Sequence, residues 1–398
     1  MQLVTRSDLL GRRTEQLFAW LSECALPLWS GKGVDHIEGG FIEQILPSGE
    51  VISDVRRARL VARQIFAFKT AAQLGWPGPA DALVRHGVEA LLQHHISDER
   101  LVLPRYLPAR DRSEGDFDLY DQAFVLFGLA HAFEHTRDSD LSALAQSILA
   151  PMQDSRAHSL GGFAEHVPPR SPLKANPHMH LLEAALAWTE VSSDQVWKDL
   201  SDGIVRLCLD RFLDPATGAL HEYFGIDWCC IEDPAIDVVE PGHQAEWAWL
   251  LLRWNRLHGS AEISAVAKQL IEIAEQNGVE PGQNAFVNEL NADLSPRDRR
   301  LRLWPQTERI KALLACAELE AAAERRSELL DRAAEALEAL LRHFDHPISG
   351  SWWEHLTSDG RPVDEPARAS SLYHIMGAAN ELARVCGSRI ANSSAGAI

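Results

Sequence analysis

One short pattern returns along the chain and constrains its fold more than any other feature. In each copy a small residue precedes an apolar or aromatic residue, and an acid or amide stands two positions further on. The copies are GGFIEQI, GGFAEHV, GALHEYF, NAFVNEL and GSWWEHL, and their acid or amide residues are Glu43, Glu165, Glu222, Asn288 and Glu354. The intervals between these residues are 122, 57, 66 and 66. The first interval is about twice the others, which predicts a degenerate copy near LVLPRYL at 101–107.

The segments between the copies have the period of amphipathic helices, with apolar residues at i, i+3, i+4 and i+7. The clearest are 59–75, 120–136, 180–191, 244–259 and 308–324, whereas strand-like alternation is confined to short pieces. Six units of about sixty residues, each a helix pair with a hairpin-bearing loop, would fill the chain. An open solenoid needs capping repeats, and the sequence has no obvious ones. We therefore predict an all-α fold, an (α/α)6 barrel with short β-hairpins in the loops at one end.

No linker divides the sequence, so we expect one catalytic barrel domain over 1–398, with peripheral tails at 1–10 and 388–398. In such a barrel the loops at one end line a central funnel, where a ligand would bind.

The charge balance narrows the choice of partners. Thirty-eight Lys and Arg against 57 Asp and Glu give a formal net charge of −19, which would repel nucleic acid and anionic membranes. It also disfavours phosphorylated small molecules, unless a local basic pocket offsets it. The six cysteines form no C-x-x-C pair, the N-terminal segment lacks a signal-peptide core, and the apolar runs are too short to cross a bilayer. We predict a cytoplasmic protein with no nucleic-acid or membrane partner.

The segment EPGHQAEW is the first candidate for chemistry. Pro241 suits the first turn of a helix, which places His243 near the helix N-terminus. The helix dipole there should lower the imidazole pKa and favour the neutral form that a general base needs. Glu246, one turn later, could orient the ring or contact a substrate. A core histidine capped by a carboxylate is the structural alternative.

Two further histidines have the same position within their units. His180 and Glu183 in NPHMHLLEA repeat the H-x-x-E spacing, and His374 lies at the helix start in SSLYHIMGAAN. Two such pairs raise metal ligation as an alternative, which the lack of a third carboxylate-bearing helix pair disfavours. His178 could be a loop residue or a second histidine of the site.

Aromatic, acidic and guanidinium groups accompany these histidines at other helix starts. Sugars need such a mixture, because pyranose C–H faces stack on rings while hydroxyls need donors and acceptors. For the arginines, an internal salt bridge is the alternative. The candidates are Arg59, Arg63, Tyr120, Asp121, Trp304, Glu308 and Trp353. No P-loop, G-x-S-x-G or G-x-G-x-x-G motif occurs in a fitting context.

Seven segments in order resemble the N-acylglucosamine 2-epimerase superfamily. They are ARQIFAF, DLYDQAF, NPHMHLLEA, EPGHQAEWAWLL, RLWPQTERIKA, WWEHL and SLYHI. Within it, the chain most resembles the bacterial mannose isomerase and sulfoquinovose isomerase branch. The resemblance implies an (α/α)6 barrel and a metal-free, cofactor-free enzyme that interconverts sugars through a cis-enediol.

The resemblance also implies roles for particular residues. His243 and His374 would be the acid/base pair that flanks C1 and C2 of the sugar, and Arg63 would stabilise the enediolate. His180 and Glu246 would assist ring opening and bind hydroxyls. Family members often have a small residue or Asn at Pro177 and His178, so the role of His178 stays open.

We therefore expect an isomerase that interconverts D-mannose and D-fructose, acting on a monosaccharide as a monomer or homodimer. A sugar 2-epimerase acting on glucose or mannose, an N-acylglucosamine or a cellobiose-type disaccharide is the alternative. More distant alternatives are a glycoside hydrolase, which needs two opposed carboxylates, and a non-catalytic sugar-binding barrel.

Overall fold

Helices form two concentric layers in this protein. The computed structural model describes residues 6–231 and 233–390. Its α-helices are α1 (Arg6–Trp20), α2 (Leu26–Gly31), α3 (Ala58–Gln73), α4 (Ala80–Ala90), α5 (Leu119–Thr136), α6 (Ser139–Arg156), α7 (Ala175–Val191), α8 (Gln195–Leu207), α9 (Pro241–His258), α10 (Ala261–Asn277), α11 (Leu303–Leu319), α12 (Ala323–Leu341) and α13 (Ser371–Cys386). A π-helical turn joins α1 to α2, so that the two act as one helix and the described chain has six helix pairs.

The inner layer consists of α3, α5, α7, α9, α11 and α13. These helices are buried around most of their circumference, as α9 is from Pro241 to Leu252, which is typical of a helix surrounded by others. The outer helices are amphipathic: α8 buries Trp197, Leu200 and Ile204 and exposes Lys198 and Asp199.

The ring of inner helices is closed. Each packs against the next, α13 packs against α3, and α1 packs against α12 and α13. The predicted all-α (α/α)6 barrel is thereby confirmed.

Short antiparallel strands lie in the loops between the helices. They are β1 (Gln44–Ile45), β2 (Val51–Ile52), β3 (Arg56–Arg57), β4 (Arg105–Leu107), β5 (Arg112–Glu114), β6 (Leu173–Lys174), β7 (Tyr223–Phe224), β8 (Val238–Val239), β9 (Val279–Glu280), β10 (Ala285–Phe286), β11 (Glu289–Asn291), β12 (Pro296–Asp298), β13 (Leu301–Arg302), β14 (His355–Leu356) and β15 (Ala367–Arg368). The pairing of β15 with β1 joins the last unit to the first, as the helices do.

The repeated sequence pattern joins neighbouring units. The backbone carbonyl of a repeat residue accepts a hydrogen bond from a backbone N–H at the start of a neighbouring unit's inner segment. These bonds join the Ala369 N–H to Glu43, the Ala175 N–H to Glu222 and the Leu303 N–H to Glu354. Pro104 accepts the equivalent bond from Ala58. Pro104 lies 61 residues from both Glu43 and Glu165, and so it occupies the degenerate copy.

The outer ends of the described chain reach the core. Residues 1–5 and 391–398 of the two expected tails lie outside the described residues. Of the remainder, Leu10 and Ile390 are buried in the main hydrophobic core. No helix in the described ranges has the length and apolar content needed to cross a membrane.

Candidate active site

The first turns of all six inner helices border one cavity of about 680 Å³. Helix N-termini carry partial positive charge, which favours the acidic groups around this opening. Four repeat glutamates line it, at Glu43, Glu165, Glu222 and Glu354. Of the residues singled out in the sequence, those that line the cavity are His243, His374, Arg63, His180, Glu246, Trp304, Tyr120 and Arg59.

Three other candidates do not border the cavity. Asp121 is fully buried and accepts hydrogen bonds from the backbone and guanidinium of Arg59, at 2.9 and 2.8 Å. Glu308 is fully buried beside His374. Trp353 is turned away, with its indole N–H bonded to the Asp345 carbonyl. The sequence predicts that all three contact substrate; the structure instead gives Asp121 and Glu308 supporting positions and places Trp353 outside the site.

His243 lies between two carboxylates. Its Nδ1 is 2.9 Å from Glu222 Oε1 and 3.6 Å from Glu240 Oε2, and its Nε2 is 3.4 Å from Asn176 Nδ2. Burial alone would lower the imidazole pKa, but the charges of Glu222 and Glu240 outweigh it and raise the pKa to about 10. The expectation that the helix dipole keeps His243 neutral is wrong, because these carboxylates act on it more strongly.

Glu246 does not orient His243 either. The residues that hold the ring are Glu222 and Glu240, from the preceding loop and the helix start. Glu246 is fully buried at the cavity wall, and its carboxylate oxygens accept no hydrogen bond within the described chain. Burial and the nearby charge of Glu308 raise its pKa well above the usual value, which favours the protonated acid.

His374 has the opposite protonation state from His243. Its Nδ1 donates to Glu308 Oε1 at 2.8 Å, and Lys311 Nζ lies 2.5 Å from the other oxygen of that carboxylate. Burial lowers the pKa of the imidazole to about 4; Glu308 partly opposes this, and Arg63 and Lys311 reinforce it. With Nδ1–H directed at Glu308, the neutral ring has its free lone pair on Nε2.

Trp304 connects the two histidines. Its ring centroid is 4.9 Å from that of His243 and 5.5 Å from that of His374. The cavity therefore places a charged imidazole and a neutral one against a single aromatic surface. Two titratable groups with pKa values driven apart are the usual arrangement for an acid and a base.

Arg63 is held among aromatic rings. Its guanidinium donates to the Tyr120 hydroxyl at 2.6 Å and lies 3.9 Å from the Phe124 ring centroid. No carboxylate within the described ranges forms an ion pair with it, so its charge is available to a ligand. Arg59, by contrast, is paired with Asp121, as the salt-bridge alternative requires.

His180 forms the H-x-x-E pair that the sequence indicated. Its Nδ1 donates to Glu183 Oε2 at 3.2 Å, and the Tyr373 hydroxyl donates to the same oxygen at 2.5 Å. Burial lowers the His180 pKa to about 4, so the ring is neutral, and with Nδ1–H directed at Glu183 its Nε2 is left as a hydrogen-bond acceptor.

His178 has a structural role away from this cavity. Near the start of α9, the Gln244 side-chain amide bonds to both the backbone N–H and the carbonyl of Leu220, a residue of the repeated pattern. Near the start of α11, Gln306 bonds in the same way to Phe286. His178 takes this position in α7: its Nε2 accepts from the Phe163 N–H at 2.9 Å, and its Nδ1 donates to a backbone carbonyl.

Reasoning from the sequence missed three supporting residues. Glu222 is one of the repeat residues and Lys311 lies in RLWPQTERIKA, but the sequence assigns neither to the site. Glu240 directly precedes Pro241 and is not among the candidates that the sequence indicates. The contact of Glu222 with His243 spans 21 positions, and Lys311 acts on His374 through Glu308, which is 66 positions away, so local spacing reveals neither residue. Glu240 stands three residues before His243, and this spacing could have indicated it.

Some of these groups also have the donor types of a metal site. Three sets of three donors have their atoms within 4.8 Å of one another: His180, Glu183 and Glu246; Glu222, Glu240 and His243; Glu246, Glu308 and His374. In every set the histidine Nδ1 already bonds to one carboxylate.

Comparison with known proteins agrees with this architecture. Residues 40–378 match the family model described as N-acylglucosamine 2-epimerase (GlcNAc 2-epimerase). A mannose-6-phosphate isomerase of Rhizobium meliloti (strain 1021) is 40% identical over 373 residues, covering 92% of this chain and 96% of that protein.

Two solved structures share the fold. A D-mannose isomerase has a TM-score of 0.82 at 18% identity, covering 96% of this chain and 100% of its own. A cellobiose 2-epimerase from Spirochaeta thermophila DSM 6192 has a TM-score of 0.84 at 22% identity, covering 95% and 97%. With the family model spanning most of the chain, this barrel belongs to the N-acylglucosamine 2-epimerase family of sugar isomerases and epimerases.

Proposed function

We propose that this enzyme interconverts D-mannose and D-fructose by aldose–ketose isomerisation. The observation that carries the proposal is the pair of histidines against Trp304, one neutral and one charged. The names of two similar proteins, a mannose-6-phosphate isomerase and a D-mannose isomerase, support a mannose skeleton for the substrate.

The pyranose ring must open before the C2 proton becomes acidic beside the aldehyde. His243 carries a proton at neutral pH and is suited to donate it to the ring oxygen, and it regains a proton from the O1 hydroxyl as the aldehyde forms. His374 then removes the proton from C2 through its unprotonated Nε2, and Arg63 stabilises the negative charge on O1 of the enediolate.

The fate of that proton decides the product. When His374 returns it to C1, and the O2 proton moves to O1, the aldose becomes the ketose. If His243 instead protonates C2 from the opposite face, the product is the C2 epimer. The charged state of His243 suits this alternative too, which makes a 2-epimerase the second candidate.

Incubation with D-mannose, D-glucose and D-fructose in heavy water separates the two. Deuterium at C1 of fructose supports the isomerase, and deuterium solely at C2 of an aldose supports the epimerase. Absence of deuterium from every sugar would reject both. His374→Ala and His243→Ala should each abolish turnover, with the exposed His36→Ala as the matched control.

A further inference from the structure

Basic residues occupy equivalent positions in four of the six units, just before the inner helices. They are Arg57, Lys174, Arg302 and Arg368, and each precedes the residue whose N–H bonds to a neighbouring unit's repeat carbonyl. All four line the cavity. Their equivalence allows their surroundings to be compared directly.

In two units the repeat glutamate neutralises the basic residue. Arg57 pairs with Glu43 at 2.8 Å, and Lys174 pairs with Glu165 at 2.9 Å. These pairs use both charges within the protein and leave little attraction for a ligand.

The unit of Arg302 lacks this neutralisation. Its repeat position holds Asn288 in place of a glutamate, and the Asn288 amide bonds to Asp298 at 3.0 Å. Arg302 forms no ion pair within the described ranges, and its Nε is buried without a hydrogen-bond partner there. Burial raises the pKa of Glu240 to about 7; the charges of His243 and Arg302 oppose this only in part, and Arg302 forms no ion pair with Glu240.

The unit of Arg368 has a glutamate at the repeat position, but the carboxylate of this Glu354 bonds to groups other than the Arg368 guanidinium. Glu354 accepts hydrogen bonds from the Trp352 indole at 2.8 Å, from the Ser371 hydroxyl at 2.9 Å, and from the backbone N–H of Arg368 at 2.8 Å. The guanidinium of Arg368 is left without an acidic partner in the part of the chain that the structure describes.

The two unpaired guanidiniums belong to neighbouring segments of the ring. The Glu354 carbonyl bonds to the residue after Arg302, and its carboxylate bonds to the backbone of Arg368. Arg302 is also two residues from Trp304, which contacts both histidines. The acidic side of the cavity, at Glu222 and Glu240, lies against His243.

We propose that Arg302 and Arg368 form a subsite for a phosphate monoester on the substrate, at the end of the sugar remote from C1 and C2. This rests on the proposed function and names its substrate class, a hexose 6-phosphate. Two guanidiniums present the fork of N–H donors that phosphate oxygens accept. The net charge of −19 repels a phosphate at long range, so that binding depends on this local pair.

The test compares D-mannose 6-phosphate with D-mannose in the wild type, in Arg302→Gln and Arg368→Gln, and in the double variant. We expect the wild type to prefer the phosphorylated sugar by at least about tenfold in kcat/KM. Each substitution should lower kcat/KM for it by about tenfold or more, chiefly through KM, and by less than about threefold for D-mannose. Arg361→Gln, which removes an exposed charge outside the cavity, is the matched control.

Two results would overturn the subsite: a wild type that prefers D-mannose, or variants that lose both sugars equally while melting at the wild-type temperature. Binding of D-mannose 6-phosphate by calorimetry separates this proposal from the proposed function. Binding that the double variant abolishes supports the subsite even if no sugar is turned over, and no binding to the wild type rejects it. Lack of turnover of every aldose, with binding intact, rejects the isomerase alone.

Discussion

His243 and His374 each donate Nδ1–H to a buried carboxylate, yet their pKa values lie on opposite sides of neutrality, at about 10 and about 4. The difference lies in what surrounds each carboxylate. Glu222 and Glu240 both act on His243, whereas the charge of Glu308 beside His374 is balanced by Lys311. One barrel therefore holds an acid and a base made from the same residue type.

The pH dependence of kcat/KM should reflect this pair. Activity is expected to rise as His374 loses its proton, with a pKa of about 4, and to fall as His243 loses its proton, with a pKa of about 10. Glu240→Gln removes one negative charge beside His243 and should move the alkaline limb to lower pH, leaving the acid limb in place. A pH–rate profile of both proteins measures this. If the alkaline limb does not move, the group that titrates there is not His243.

Glu308→Gln should impair catalysis with little effect on binding. An amide at this position can direct its N–H at Nδ1, which would place the proton on Nε2 and remove the lone pair that takes the C2 proton. We expect kcat to fall by about 10²–10⁴, with KM changed by less than about threefold. Steady-state kinetics measure kcat and KM separately. Glu318→Gln, at the surface, controls for loss of a carboxylate. A raised KM with normal kcat would contradict the positioning role.

Replacing His178 tests the structural role of that residue. His178→Ala leaves the Phe163 N–H and the Lys174 carbonyl without their partner and should lower the free energy of unfolding by about 1–3 kcal/mol. His178→Gln supplies the amide found at Gln244 and Gln306 and should retain most of that stability. Urea unfolding at pH 7 measures both, and kcat should stay unchanged in the glutamine variant. A large loss of kcat there would place His178 in the site.

The same variants should differ in their response to acid. Burial lowers the His178 pKa to about 4 from its ordinary value near 6.5, so the unfolded chain takes up the proton first. The folded state is therefore destabilised as the pH falls from about 6.5 toward 4, and His178→Gln should lose less stability than the wild type between pH 7 and 5. Equal losses would show that other buried histidines account for the effect.

Chelation tests the remaining alternative for the three donor clusters. Their histidines already bond to carboxylates, and Lys311 neutralises Glu308, so we expect activity to survive exhaustive EDTA treatment. The measurement is turnover before treatment, after treatment, and after addition of divalent cations. Loss of activity that a cation restores would establish a metal site.

Much of the fold could be read from local pattern. The repeat residues from Glu43 to Glu354 indicated six units, and the degenerate copy was predicted at the segment that contains Pro104. Helix ends were less predictable: the apolar segment 308–324 runs past the end of α11 at Leu319. Its alanine-rich composition favours helix throughout, and the break between α11 and α12 is made by the turn that packs one helix on the other.

The sequence by itself determined the helical units and placed His180, His243 and His374 near the starts of inner helices, because both depend on residues near one another in the chain. The expected shared position is wrong for His243, which precedes Gln244, the counterpart of His178, whereas His180 follows His178 by two residues.

Only the tertiary structure decided the charges of these histidines and the pairing of the arginines. Glu222 and Glu308 reach their histidines because the fold brings together residues 21 and 66 positions apart, and the energy of a charge depends on what lies within a few ångströms of it, whatever the distance along the chain.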